Sequence, residues 1–386
     1  MYRAILSASL ATLIFVAVPA LAETTFDFKG YIKMDALSTY YRSGDVSPES
    51  PLRDFHFPGA IPTGGTDENY DLDFHAKESR FAFETNTDVG DDRSVKAFLE
   101  FDFLLSPAGD ERVSNSWNPR LRHVYMAYDN WLFGQTWSTF MVVLIPEDLD
   151  FAGAAEGIVF IRQPQIRFTW NKWQFAVENP ETVVSGYQTG ARISTESGRV
   201  PDLVARRNFS GERGTIGVAG IARFLHYQDP GADIDDQNFG FGFTAGGELK
   251  VGEKDGLKAQ MTAGRGLGRY VGLNFVNSAV LDAEDNLETI GQFCGFVDYR
   301  HWWTDKLRSS ANLSVFYADN DAALTGPNVN KAAQSISVNL LYSPRPPLTF
   351  GVEYMHAQRE LEGGPDGTMD RLQFSARYAF GYASPR

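Results

Sequence analysis

Seven arginines stand in stretches where polar and apolar residues alternate, and six of them can be placed on the polar side. Arg80 shares a side with Glu78, Ala82 and Glu84, opposite Phe81 and Phe83. Arg120 and Arg122 stand opposite Leu121, Tyr125 and Ala127, and Arg167 with Thr169 stands opposite Ile166, Phe168 and Trp170. Arg206 and Asn208 stand opposite Leu203, Ala205 and Phe209, and Arg223 opposite Val218 and Phe224. The seventh, Arg162, closes a long apolar connection. A guanidinium stays charged and offers a planar fork of donors that fits a carboxylate. Arginines gathered around a water-filled passage would favour small anions, provided binding stays weak enough for release. The competing reading is a structural ladder, in which they pair with Glu78, Glu84, Glu100 and Asp102 and confer no selectivity.

The elements that position these residues are strands. Phe26, Phe28, Gly30, Ile32 and Met34 fall on one side of the first, and Asp27, Lys29, Tyr31, Lys33 and Asp35 on the other. The same two-residue period separates Val95, Ala97, Leu99, Phe101 and Phe103 from Lys96, Glu100 and Asp102. Successive strand side chains point to opposite sides, so each stretch has one apolar and one charged face. A soluble sandwich would give the same alternation, but its strands average roughly five or six residues and these run longer. Many of them begin or end in aromatics, among them Trp131, Trp170, Trp173, Tyr227, Tyr299, Trp302, Trp303, Tyr342 and Tyr378. Such rings suit the two interfaces of a bilayer. In lipid an open sheet leaves its edge amides unsatisfied, so the sheet must close. The expectation is an all-β chain folded as a transmembrane antiparallel barrel of about 16 strands, an even number as bacterial barrels require.

The first residues agree with that compartment. Arg3, the apolar run from Ala4 to Val18, Pro19 and Ala20-Leu21-Ala22 have the layout of a secretory signal peptide cleaved before Glu23. Residues 1–22 are therefore read as a leader and 23–386 as the barrel. Tight turns are expected at Asp88 to Asp92, Tyr128 to Trp131 and Ser343 to Pro347. Longer polar connections are expected at 42–72, 106–118, 181–200, 266–287 and 361–369. The connection at 138–163 differs, because Phe140, Met141, Val142, Val143, Leu144, Ile145, Phe151, Ile158, Val159 and Phe160 make it apolar. Water does not favour that much exposed apolar surface, so the segment is expected to fold inward and narrow the lumen; packing on a neighbouring subunit is the alternative.

The chain carries a formal net charge of −14, which argues against a nucleic-acid surface built from clustered Lys and Arg. Much of the acid lies in expected loops, for example Asp67, Glu68, Asp233, Asp235, Asp236 and Asp285. No two of the histidines His56, His75, His123, His226, His301 and His356 stand at metal-ligand spacing. The single cysteine, Cys294, has no base placed beside it by spacing. Neither a catalytic cluster nor a metal or cofactor is expected, so the chain reads as a channel rather than an enzyme. An occluded structural or receptor-type barrel without general conductance is the alternative.

One region resembles a known family. Arg120-Leu121-Arg122-His123-Val124-Tyr125 leads into Trp131-Leu132-Phe133-Gly134-Gln135-Thr136-Trp137-Ser138-Thr139-Phe140-Met141. Pro146-Glu147, Leu149-Asp150-Phe151 and Val159-Phe160-Ile161-Arg162-Gln163-Pro164-Gln165-Ile166-Arg167-Phe168 follow in order. This succession, with Arg371-Leu372-Gln373-Phe374-Ser375-Ala376 near the end, resembles the DcaP-like outer-membrane porins. The resemblance implies a homotrimer in outer-membrane lipid that passes small anionic solutes, dicarboxylates among them. Members of that family can carry an N-terminal coiled-coil extension; here the first strand is expected directly after the leader.

Overall fold

The computed structural model describes residues 23–384 apart from 106–113, 144 and 196–197. The expected leader and Leu144 lie outside the described residues. The strands in chain order are β1 Thr24–Tyr41, β2 Asn69–His75, β3 Arg80–Gly90, β4 Arg93–Asp102, β5 Arg120–Tyr128, β6 Trp131–Trp137 and β7 Arg162–Trp170. They continue with β8 Trp173–Glu178, β9 Thr182–Ser185, β10 Arg192–Thr195, β11 Asp202–Gly211, β12 Gly214–Asp229, β13 Ile234–Val251 and β14 Asp255–Arg265. The last are β15 Ala279–Leu281, β16 Leu287–Thr289, β17 Gly291–Trp302, β18 Leu307–Asp319, β19 Asn330–Arg345, β20 Leu348–Leu361 and β21 Asp366–Ala383.

β1 closes the sheet. One edge pairs antiparallel with β21 from Asp27↔Ala383 to Tyr41↔Met369. Its other edge pairs with β3 through Tyr31↔Arg80 and, past a break at 76–79, with β2 through Asp35↔His75. β2 and β3 thus fill one position in the wall. With β4 to β8, β11 to β14 and β17 to β21 they complete a closed antiparallel barrel of 16 strands. The ladder runs from strand to strand around the whole wall, so no sheet edge is left open to lipid.

The alternation places the faces as expected over most of the barrel. Ile32, Met34, Phe374 and Tyr378 are exposed on the outside, whereas Lys33, Asp35, Gln373 and Ser375 are buried within. One strand departs from it. In β5 the pairing slips between Glu100↔His123 and Phe101↔Leu121, leaving Arg122 as an extra residue. This bulge puts both Arg122 and His123 inside, and Val124 and Met126 become the exposed pair. Tyr125 and Ala127, expected on the outer face, turn inward as a result. Tyr227 is also buried inside, and Trp302 stacks inward beneath Arg308, so neither belongs to the outer aromatic belt.

The two ends of the barrel differ. At one end β3–β4, β5–β6, β7–β8 and β11–β12 are joined by two residues each. Asp91, Asp92, Asp129 and Asn171 adopt positive φ there, a conformation that Asp and Asn tolerate better than most residues. The long connections lie at the other end, although residues 361–369 are not among them: β20 and β21 run on to a tight turn at 362–365. Nor are 181–200 and 266–287 simple polar loops. They carry β9, β10, β15 and β16, which form a four-stranded sheet of their own, with β9 parallel to β15. Val184, Ala279, Leu281 and Leu287 pack it against Leu225 and Tyr227 on the inner wall. Periodicity alone could not show a sheet whose two halves are separated by four barrel strands.

The connection from Ser138 to Ile161, called L3 below, folds inward as its composition requires. Phe140, Met141, Val142, Val143, Phe151, Ile158 and Val159 are buried in one cluster with Ala176, Val204, Ala219, Ile221, Cys294, Phe296 and Phe316 of the inner wall. Gly157 comes so close to the wall that a Cβ would sit 2.3 Å from the Gly295 carbonyl oxygen and 2.6 Å from Ser314 Oγ. Gly157→Leu is therefore expected to push L3 into the lumen and cut single-channel conductance by about half or more, overpacking at such sites costing roughly 1–3 kcal/mol. An unchanged conductance in planar bilayers would show that the return leg of L3 does not border the passage.

Candidate functional site

L3 is laid along the inner wall by a succession of side chains that hold its backbone. Glu178 accepts from Ser138 Oγ and the Thr139 amide, each at 2.7 Å, fixing the entry. Arg167 then donates to the Trp137 carbonyl at 2.6 Å and Arg206 to the Met141 carbonyl at 2.6 Å. Lys258 reaches the Ile145 carbonyl at 3.2 Å, and Lys33 and Gln373 both reach that of Leu149. Glu147 between them pairs with Arg308 at 2.8 Å and Arg300 at 3.6 Å. Between Trp137 and Leu149 the chain thus meets β7, β8, β11, β14, β17, β18, β21 and β1. Arg167, Arg206 and Lys258 grip carbonyls rather than carboxylates, and so hold the loop without being neutralised.

The segment 42–68 closes the far side. His56 donates its amide to Asp150 at 2.7 Å and places its ring 2.9 Å from Glu156, which is fully buried on L3. Glu156 is held below the usual carboxylate range by His56, against the opposing effect of its burial.

Four of the sequence-derived arginines meet on the wall beside L3, with Arg120 and Arg122 over the Phe151 ring at 5.5 and 5.4 Å. Arg120 forks onto Asp102 through two bonds of 2.9 and 2.8 Å. Arg122, only 2% exposed, joins Glu100 at 2.7 Å to Asp102 at 2.9 Å. Arg80 lies 3.7 Å from Glu100, beyond hydrogen-bond reach, and its Nε has no partner. Arg162 makes no ion pair or hydrogen bond among the described residues. It stacks on Trp137 at 4.7 Å and Phe160 at 5.7 Å, and its Nη1 is buried without a partner. Two carboxylates thus face four guanidinium groups, and the excess positive charge is concentrated at Arg162 and Arg80. The aromatic faces hold the guanidinium plane while leaving its edge donors free.

The other three occupy different places. Arg167 and Arg206 face the lumen half-buried, without a carboxylate partner among the described residues, and serve as pins for L3. Arg223 is not pore-lining: at 0% exposure it bonds Asp202, the carbonyls of Gly266, Leu267 and Glu181, and Ser278 Oγ. It ties the segments that carry the inner sheet to the wall. Lys33, Lys258, Arg308, Arg371 and Arg377 were not singled out by sequence, although each stands on the inner side of its strand. The signal was the alternation itself; what it lacked was any sign of which inner residues meet L3.

A 16-stranded wall with its third long connection folded across the lumen is a porin architecture, and comparison with known proteins agrees. The model of the DcaP outer membrane protein family matches residues 20–380. The chain belongs to the DcaP outer membrane protein family. Among solved structures, the outer membrane channel DcaP of Acinetobacter baumannii matches with a TM-score of 0.75 at 23% identity, covering 92% of this chain and 97% of that one. The anion-selective porin from Comamonas acidovorans matches at 0.55 with 11% identity, over 93% and 100% of the two chains. The trimer form of Vibrio cholerae OmpT matches at 0.52 with 12% identity, over 92% and 99%. No curated relative matches the chain. This DcaP family member is an outer-membrane channel of the bacterial porin fold. Its short turns therefore face the periplasm and its long connections the exterior, as in other barrels of this membrane.

One contact of L3 in this DcaP family member holds a buried carboxyl whose titration is expected to matter. Asp148 is enclosed by Asn312 Nδ2 at 2.5 Å, Ser337 Oγ at 3.3 Å and Asn339 Nδ2 at 3.4 Å, with no cation touching it. Burial, and then the nearby Glu353, Asp298 and Asp150, hold its carboxyl well above the usual range. A carboxyl raised in the folded state contributes to the seat of L3 at low pH, and that contribution is lost as pH rises through the raised value. Thermal stability in detergent is expected to fall as pH rises above the ordinary carboxylate range, and Asp148→Asn to flatten the curve. Parallel curves for the two proteins would exclude Asp148 as the titrating group.

Proposed function

We propose that this channel passes small hydrophilic solutes with a preference for small anions, carboxylates and dicarboxylates among them, and that it works as a homotrimer after removal of residues 1–22 as a leader. The observation that carries the preference is the Arg162 guanidinium, stacked on Trp137 and Phe160 with no acidic partner among the described residues, beside three further arginines and only two carboxylates. An anion arriving there meets donors already oriented, at little cost in reorganisation. Because Arg120 and Arg122 are occupied by Asp102 and Glu100, the contact stays weak enough to release the solute. The anion-selective description of the Comamonas acidovorans porin supports the same reading.

Strand length supports the trimer. β6 and β8 have 7 and 6 residues where β1, β13 and β21 have 18. At about 3.3 Å per residue and a tilt near 40°, such strands rise only about 15–18 Å, short of an apolar band of about 25 Å. Trp131, Ile166, Trp170 and Phe175 are exposed on that low stretch of wall, and copies packed side by side would cover it. The trimer form of OmpT is a structural precedent. Voltage is expected to close a single inserted particle in three equal steps; closure in one step would contradict the trimer.

Labelled succinate is expected to leave proteoliposomes severalfold faster than erythritol, a neutral solute of similar size. The difference should collapse near 1 M salt, where the screening length is about 3 Å. Equal rates at low salt would remove the anion preference while leaving the channel.

A further inference from the structure

A second group of cations lies on the periplasmic side of L3 and shares Arg80 with the cluster around Arg162. Arg377 shares the inner face of β21 with Gln373, whose amide holds the Leu149 carbonyl, but stands four residues nearer the periplasmic end. It makes no ion pair or hydrogen bond among the described residues, and it is exposed in the water of the lumen. Its guanidinium lies over the ring of Tyr31, 4.1 Å from the centroid. Arg80, paired across the sheet with Tyr31, approaches the same ring at 5.3 Å. The ring itself is fixed, for Tyr31 is buried and its hydroxyl donates to Glu78 at 3.1 Å. Glu78 and, 3.7 Å from Arg80, Glu100 are the acids beside this group; Lys33 already engages Glu78 and Arg122 engages Glu100. Lys29, 60% exposed, points into the same vestibule, with Glu84 3.8 Å away.

We infer that Arg377 and Arg80, set around Tyr31, form a separate seat for a small oxyanion, a carboxylate in the first instance, on the periplasmic side of the constriction. The inference rests on the anion reading above and adds a site to it. The ring orients the Arg377 guanidinium plane and leaves its edge donors unoccupied, so a planar carboxylate can be met by two parallel bonds. Arg80 belongs to both groups, since it also stands beside Arg122 and Glu100. An anion leaving the Arg162 cluster can thus exchange its partners one at a time, and conduction through successive weak sites requires this.

The test is block of single channels by citrate added to one side of a planar bilayer, with protein always inserted from the same chamber. Arg377→Gln is expected to slow citrate entry from the periplasmic side at least fivefold and to leave entry from the exterior within twofold of the wild type. Equal slowing from both sides would overturn the seat, since the charge would then act only through the general field. Periplasmic entry unchanged from the wild type would overturn it as well. Arg377→Lys keeps the charge and loses the planar fork, so it should retain the entry rate and shorten the dwell of bound citrate at least threefold; an unchanged dwell overturns the seat independently of how Arg377→Gln folds. If the wild type selects anions and only these two variants fail to respond, the seat falls and the anion reading stands. If the wild type neither selects anions nor is blocked by citrate from either side, both fall together.

Discussion

Arg162→Glu is expected to abolish the proposed anion preference and to leave a channel that favours cations weakly or has no preference. The substitution changes the formal balance at the constriction by two units, cancelling the excess of four guanidinium groups over Glu100 and Asp102. A unit charge about 7 Å from a permeating ion, at an effective dielectric near 20, is worth roughly 2 kcal/mol, and each 1.4 kcal/mol is about tenfold. The electrolyte in the lumen screens part of this, so a shift of about tenfold in the chloride-to-potassium permeability ratio is the expected result. The fold should accept the change, because the new carboxylate stands beside Arg122 and Arg120, close enough that both act on the residue now there. Arg122→Ala makes the contrast. It removes a cation already shared by Glu100 and Asp102, and it acts by leaving those acids short of a partner. A permeability ratio in Arg162→Glu equal to the wild type would exclude the unpaired guanidinium as the source of selectivity.

Arg223→Ala is expected to have the largest effect on stability. The guanidinium is fully buried, and its five contacts join β12, β11 and the inner sheet of β9, β10, β15 and β16. Without it Asp202 remains buried with the Tyr270 hydroxyl, at 2.8 Å, as its one polar side-chain partner among the described residues. Three carbonyls lose a donor as well. Removing one member of a buried ion pair costs roughly 3–5 kcal/mol. Closed barrels resist global unfolding, so the loss should appear locally, as protease cleavage within 266–290 in folded protein and as noisier current. Arg223→Ala with protease resistance and current noise like the wild type would show that the apolar contacts of Val184, Ala279 and Leu281 suffice to hold the inner sheet.

The barrel was legible in the sequence because lipid enforces a strict two-residue period. Ile32, Met34, Phe374 and Tyr378 must face outward whatever the lumen contains, and the closure of β1 on β21 follows from having no free edge. The apolar content of L3 was equally readable, since Phe140, Val142 and Ile158 have no stable place in water. What alternation could not show is where it breaks. The bulge at Arg122 costs a single residue of register, yet it moves Tyr125 from the outer face to the inner one. The inner sheet was missed for another reason. Segments as short as Val183-Val184 and Val280-Leu281 carry too little periodicity to be told from a loop, and their pairing depends on strands far apart in the chain. For the constriction, residue types identified the arginines but not their partners. Arg120, Arg122, Arg162 and Arg223 are alike in sequence, and only the structure separates a paired guanidinium from a free one.

The central claim is that unpaired guanidinium groups give this channel its preference for anions. The most direct measurement is the reversal potential of the purified wild-type protein in a planar bilayer under a tenfold potassium chloride gradient at neutral pH. The account predicts stepwise conductance and a potential whose sign reports chloride as the favoured ion. A potential of the opposite sign would assign control to the acidic residues of the lumen, and the absence of any conductance would make this an occluded barrel.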